Sequence, residues 1–174
     1  DYYLVLPWHF MAEFKKRGMP RIPTGPGRDA HLSFTVPGAV DAYLTLLETY
    51  GTRSLGDALA PAVEYAERGF PMYEYMHRML AIPETRRQFT LYPPGGETVF
   101  YPNGRVPRVG ELFVQPALAC TLKKLVEAGS IAAARDRFYR GDIAATIGAF
   151  SEKWGGLLRA EDLAGYRTRI ESPV

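Results

Sequence analysis

The sharpest periodicity in the chain lies between Val36 and Tyr50, where Val40, Tyr43, Leu44 and Leu47 recur at the spacing of one helix face. Thr35 is placed to cap this helix. Pro37 suits its first turn, where a missing N–H costs no hydrogen bond, and Gly51 predicts a left-handed stop. A second helix is predicted to open at Ser54, with Asp57 three residues on as a capping-box partner. Its apolar stripe is Leu55, Leu59, Ala62, Val63 and Ala66, and Gly69 followed by Phe70 reads as its glycine stop. Pro61 lies inside that stripe and predicts a kink or a restart.

Further on, Tyr73 to Leu80 and Pro83 to Phe89 read as short helices. The stretch LYPPGGETVFYPNGRVPRVGELFVQ then turns to Pro, Gly and β-formers. It predicts a strand at Thr98 to Tyr101, a hairpin turn at Asn103-Gly104 and a second strand before Val109. Helices return from Pro116 through Leu118, Leu122, Leu125 and Val126 to Gly129. Another is predicted from Asp142 to Trp154, with Ile143, Ile147, Phe150 and Trp154 on one face and Gly155-Gly156 at its end. RAEDLAGY predicts a turn of helix, and the alternating Tyr166 to Ile170 predicts a strand. GMPRIPTGPGRDA is the one long irregular segment, and no internal repeat is visible. The predicted fold class is mainly α with a few short strands (α+β), one domain over residues 1–174.

Composition fits that picture: 47% hydrophobic and 23% charged residues are ordinary for a globular domain. A net charge of +2 argues against nucleic acid or an anionic membrane as partner. Lys15-Lys16-Arg17 and Arg135, Arg137, Arg140 therefore read as solvated surface clusters. No apolar run approaches the roughly 20 residues that span a bilayer. DYYLVLPWHF has neither the basic start nor the cleavage site of a signal peptide, and there is no initiator Met. The chain is thus expected to be a segment of something longer, with localisation, cytoplasmic or periplasmic, left open. Cys120 stands alone, so no intramolecular disulfide forms; within ALACTLKKLV it reads as a buried, inert thiol.

Candidate chemistry is sparse. Gly25-Pro26-Gly27-Arg28-Asp29-Ala30 matches a dinucleotide fingerprint, but PRIPT precedes it instead of a strand and Pro26 removes a donor; a glycine-rich loop is the better reading. His9, His31 and His77 are not at metal-ligand spacing, and no Cys pair accompanies them, so no metal site is assigned. His77 reads as a hydrogen-bonded structural residue. Neither a G-x-S-x-G elbow nor a phosphate loop is present. Glu161-Asp162 point to different sides and read as capping or surface charge. Residue by residue, the sequence describes a mostly helical domain without a self-contained active site.

Three longer stretches taken together say more. TVPGAVDAYLTLLETYGTRSLGDALAPAVEYAERGFPM, GRVPRVGELFVQPALACTLKKLVEAG and FYRGDIAATI…GGLLRAEDLAGYRTRIESPV carry T-x-P-G-x-V, Y-G-T, P-A-x-x-x-A-x-x-G-F, Q-x-x-L-A-x-T-L, F-Y-x-G-x-I-A and D-L-x-x-Y elements. In that order and spacing, from Val36 to Val174, they resemble the middle of the large subunit of the gamma-glutamyltranspeptidase family of N-terminal-nucleophile hydrolases. The resemblance implies a place in a four-layer αββα sandwich. It also implies a precursor that cuts itself, and a partner small subunit whose freed N-terminal Thr attacks a gamma-glutamyl or related acyl amide of glutathione type. No metal or organic cofactor is implied. The nucleophile and oxyanion glycines would lie beyond Val174, so no catalytic residue is assigned here. The family's D-x-R-x-x-x-P element, whose Arg grips the glutamate carboxylate, corresponds to DYYLVLP (Asp1 to Pro7), which puts Tyr3 at the Arg position as the substrate-binding candidate. Tyr3 as core packing is the plain alternative, and Arg21 or Arg28 could supply the missing charge. GSIAAARDRFYRG is longer than the family pattern and is expected to form a loop or extra turn. Two alternatives stand beside this reading: a non-catalytic helical interaction module, and an acylase or amidohydrolase with non-glutamyl specificity. Unpaired strand edges at Tyr166 to Ile170 leave self-association open.

Overall fold

The computed structural model describes residues 12, 14–19, 29–91 and 95–172. Helix α1 (Ala39–Tyr50) is followed by α2 (Leu55–Arg68), strand β1 (Phe70–Pro71), α3 (Glu74–Ala81), α4 (Pro83–Leu91) and α5 (Gly96–Phe100). Strand β2 (Leu112–Phe113) leads to α6 (Pro116–Glu127), α7 (Ile131–Tyr139), α8 (Asp142–Lys153) and α9 (Ala160–Ala164). Mainly helical architecture with a few short strands is what the sequence predicts. The two strands pair antiparallel, Phe70 opposite Phe113.

Two apolar clusters organise the helices. In the first, Leu125 of α6 meets Ala134, Phe138 and Tyr139 of α7, Ile143 and Ala144 of α8, and Leu158 and Leu163 around α9. In the second, Met72, Leu80, Tyr101 and Phe113 gather α3, the end of α5 and the two strands. Helix α2 packs along α6 and lays Leu55 and Leu59 against the first cluster. The Tyr101 hydroxyl donates to the Leu80 carbonyl at 2.9 Å, which satisfies the one polar atom buried in the second cluster's largest side chain.

Helix ends follow local chemistry. Ser54 and Asp57 form the capping box: Ser54 Oγ accepts from the Asp57 N–H at 3.1 Å while Asp57 Oδ2 accepts from the Ser54 N–H at 3.3 Å. Gly69 closes α2 with φ of 85°, a conformation that favours glycine.

Several expectations need correction. Helix α1 begins at Ala39, with Gly38 at the cap position and no side-chain cap, so Thr35 does not cap it. Gly51 is extended (φ −75°), not left-handed. A Cβ there would lie 2.4 Å from the Leu47 carbonyl oxygen, so close approach, not handedness, requires the glycine. α2 runs through Pro61 without a restart and forgoes only the bond that the missing N–H would make.

Thr98 to Tyr101 is not a strand, because α5 covers most of it. A strand would send Phe100 and Tyr101 to opposite faces, yet both pack into the second cluster, where Phe100 lies tilted against Phe89 with centroids 4.3 Å apart. Asn103 (φ 60°) sits in a 3-10 turn, not a hairpin, and the strand expected before Val109 forms after it, as β2. Tyr166 to Ile170 has no ladder partner among the described residues; the Thr168 N–H bonds a side chain instead. The segment expected to be a loop or extra turn is α7, nine residues long and capped by Ser130 Oγ at 3.1 Å from the Ala133 N–H. In α8 the buried side is Ile143, Ala144, Gly148 and Ser151, while Phe150 and Trp154 turn toward solvent. Gly148 permits this: a Cβ there would sit 2.9 Å from the Ala160 nitrogen.

Candidate functional site

Among the described residues, the most concentrated polar chemistry is built on two helices. Along α1, Asp41, Thr45 and Glu48 recur at helical spacing on one face. Opposite them, α7 presents Arg135 and Tyr139, again one turn apart. Arg135 Nε donates to Asp41 Oδ1 at 2.5 Å, and its Nη2 donates to Glu48 Oε2 at 2.9 Å and Thr45 Oγ1 at 3.4 Å. The other Asp41 oxygen, Oδ2, accepts the Thr168 N–H at 2.7 Å. The Asp41 N–H donates to the Tyr139 hydroxyl at 2.9 Å, and that hydroxyl donates to the Pro37 carbonyl at 2.8 Å. Tyr139 in turn stacks on Tyr166, centroids 5.7 Å apart.

Asp41 is 1% exposed and Arg135 6%, so the pair works in a poorly solvated setting. Burial alone would raise the Asp41 carboxyl; the bonds from the Thr168 N–H and Arg135 outweigh it and hold the group below the usual carboxylate range. Burial alone would lower Arg135, but its bonds to Glu48 and Asp41 keep it protonated more firmly than usual. Burial raises Tyr139, which stays a neutral phenol. With both oxygens of Asp41 occupied and the group ionised, the cluster has no free base. Its chemistry is anchoring: it ties α1, α7 and the 166–168 segment to one point.

Four threonines elsewhere spend their hydroxyls on backbone carbonyls. Thr90, Thr98, Thr121 and Thr146 donate to the carbonyls of Arg86, Gly95, Ala117 and Asp142. Among the described residues no group of three His, Cys, Asp or Glu side chains is placed to hold a metal ion. No helix among them is long and apolar enough to cross a membrane.

Tyr3, with Arg21 and Arg28, lies outside the described residues, as do His9 and the glycines of the fingerprint; Ala30, its last residue, opens a 3-10 turn (Ala30–Ser33). His77 is the structural histidine expected, Nδ1 lying 2.7 Å from the Pro107 carbonyl oxygen. Asp162 caps α9, accepting the Arg159 N–H at 2.8 Å. Cys120 is exposed, not buried, since its neighbour Ala119 takes the inward side of α6. The basic cluster around Arg135 is not free surface: Arg137 bonds Asp142 at 3.0 Å and Arg140 bonds Asp136 at 2.7 Å. Lys124 and Arg137 together hold the Asp142 carboxyl down to about 2.

Sequence reasoning missed the Asp41–Arg135 anchor. A signal existed, since Asp41 lies one turn before Leu44 on the inward side of an otherwise apolar helix.

Comparison with known proteins places these elements in context. The sequence profile described as Gamma-glutamyltranspeptidase matches residues 15–174. The glutathione hydrolase-like YwrD proenzyme of Bacillus subtilis is 34% identical over 149 residues, 86% of this chain and 27% of that protein. The glutathione hydrolase proenzyme of the same organism is 31% identical over 139 residues, 80% of this chain and 22% of that protein. Among solved structures, the cephalosporin acylase from Bacillus halodurans superposes with a TM-score of 0.79 at 35% identity, covering 94% of this chain and 30% of that one. The Helicobacter pylori gamma-glutamyltranspeptidase superposes at 0.72 and 30% identity, over 87% of this chain and 41% of that one. The chain spans about a quarter of the length of the curated relatives it matches. With the profile match, the sequence identities and the structural superpositions in agreement, the chain belongs to the gamma-glutamyltranspeptidase family.

Proposed function

We propose that these 174 residues are the middle part of the large subunit of a self-processing enzyme that cleaves or transfers gamma-glutamyl or related acyl amides. The observation that carries this is the profile match over residues 15–174, supported by relatives named as proenzymes. The catalytic Thr then belongs to the small subunit, beyond Val174, where a freed α-amine acts as base for its own hydroxyl and backbone N–H groups stabilise the oxyanion. The part played here is scaffolding: α1, α7 and the 166–168 segment, fixed by Asp41, carry the chain toward the sandwich that the small subunit completes.

A second reading concerns the acyl group. The 35% identity over 94% of this chain with a cephalosporin acylase favours an acylase with a non-glutamyl donor. Tyr3, where the family pattern has a carboxylate-gripping Arg, points the same way: a phenol cannot supply a bidentate charged clamp, but it can stack on or hydrogen-bond a flatter acyl group.

The test is turnover by the purified full-length protein of a gamma-glutamyl anilide and of a dicarboxylic monoamide anilide. Cleavage of either supports the enzyme, and the ratio selects the donor. No cleavage of either by a correctly processed protein would overturn the proposal.

A further inference from the structure

Asn103 is the single asparagine of the 174 residues, and no Asp-Gly pair occurs, so Asn103-Gly104 is the chain's one dipeptide primed for imide formation. With no side chain on the glycine to crowd it, the Gly104 nitrogen can attack the Asn103 side-chain amide. A bond forms from that nitrogen to Asn103 Cγ, the Cγ–Nδ2 bond breaks, and Nδ2 leaves as ammonia, carrying the Gly104 amide proton. Water then opens the five-membered imide at either carbonyl, which yields aspartate or a β-linked isoaspartate. Both residues are exposed, so water reaches the bond.

The folded turn opposes that reaction at each step. Ring closure brings the Gly104 nitrogen onto the side of Cβ, which needs ψ of about −120° at the asparagine. Asn103 instead has φ 60° and ψ 24°, which swings that nitrogen nearly opposite its own Cβ. The Gly104 N–H is also engaged, donating to the Tyr101 carbonyl at 2.9 Å. A tie from α4 completes the arrangement: Arg86 Nη2 donates to the Gly104 carbonyl at 2.8 Å and to Glu97 Oε1 at 3.2 Å. The same guanidinium lies 5.2 Å from the centre of the Tyr101 ring. Tyr101 is itself buried and bonded to the Leu80 carbonyl, so the start of the turn is fixed in the second cluster and its end is clasped by Arg86.

We propose that Asn103-Gly104 is a spontaneous deamidation site held closed by the Arg86 clasp, so that loosening of the α4–α5 region converts Asn103 irreversibly to aspartate or isoaspartate. Isoaspartate lengthens the main chain by one carbon between Tyr101 and Gly104, so the turn and its bond to Arg86 do not re-form. The test incubates the full-length protein at mildly alkaline pH, folded and in urea, and follows aspartate and isoaspartate at position 103 by peptide mapping. Conversion is expected to be about tenfold or more slower in the folded protein than in urea. Arg86→Met, which keeps the side-chain stem and removes the donor, is expected to restore most of the urea rate while hydrogen exchange of α1 and α7 stays unchanged. If Arg86→Met loses the fold, Glu97→Gln is read in its place, with a smaller acceleration expected because the guanidinium loses one of its two partners. Folded conversion at the urea rate, no conversion in urea, or an unaccelerated rate in the folded variant would each overturn the proposal.

Discussion

The backbone N–H of Thr168 donates to Asp41 Oδ2 at 2.7 Å, joining positions 127 residues apart in the chain. Because Arg135 holds the other oxygen of the same carboxylate, one buried side chain fastens two helices and the C-terminal segment. Replacing Asp41 with Ala leaves Arg135 buried beside Glu48 alone and removes the acceptor of Thr168. The expected loss is about 3–5 kcal/mol of local stability, the usual cost of breaking a buried pair from one side. Hydrogen exchange of α1 and α7 in the full-length protein checks this; protection should fall by roughly a hundredfold to several thousandfold. Asp41→Leu combined with Arg135→Met should recover much of the loss, since no buried charge is left uncompensated.

The same carboxylate predicts an acid limb. Its folded pKa is depressed below the ordinary 3.8, so the stabilisation it gives is complete above about pH 4 and is lost as pH falls through the folded value. Glu111, held near 2 by Arg105, and Asp142, also near 2, titrate in the same direction from exposed positions. Urea midpoints measured from pH 7 to pH 2.5 should therefore fall below pH 4, and less steeply in Asp41→Asn. An unchanged acid limb in that variant would remove Asp41 from the account.

Gly38 is fixed by Tyr166. A Cβ at position 38 would stand 2.2 Å from the Tyr166 hydroxyl oxygen and 2.6 Å from its ring carbon Cζ. Gly38→Ala should cost about 1–3 kcal/mol, as overpacking does. Tyr166→Phe should not relieve it, because the ring carbon remains, whereas Tyr166→Ala should make the two changes strongly non-additive. Thermal unfolding of the four variants reads the coupling directly.

Tyr3→Arg in the full-length protein is expected to improve kcat/KM for glutathione relative to a dicarboxylic monoamide, because a guanidinium can grip the donor's α-carboxylate bidentately. Equal efficiency of the native protein on glutathione, unimproved by the substitution, would remove Tyr3 from the donor site.

Much of the helical frame was legible because it rests on short-range chemistry. The Ser54–Asp57 cap and the Gly69 stop are decided within a turn or two of sequence, whereas the stripe expected on α6 is only partly right, since Leu118 is exposed and Ala119 is buried in its place. What was not legible depends on distant partners. Phe100 ends a helix and Tyr101 follows it because Phe89, Phe113 and Leu80 receive them on one side, and Val99-Phe100-Tyr101 alone reads as a strand. Arg135 looked like surface beside Arg137 and Arg140; only the fold brings Asp41 and Glu48 to it. Tyr166 to Ile170 has a strand's pattern but finds a carboxylate instead of a ladder. The family could be read from ordered motifs, whereas the nucleophile is placed outside this segment by proposal alone.

This segment is proposed to serve a self-cleaving hydrolase whose nucleophile lies outside it. Intact mass and N-terminal sequencing of the purified full-length protein test it most directly. Two chains are predicted, the one containing residues 1–174 uncut within them and the shorter one beginning with a Thr from beyond Val174. A single uncut chain that turns over an acyl anilide, or a new N-terminus inside residues 1–174, would contradict it.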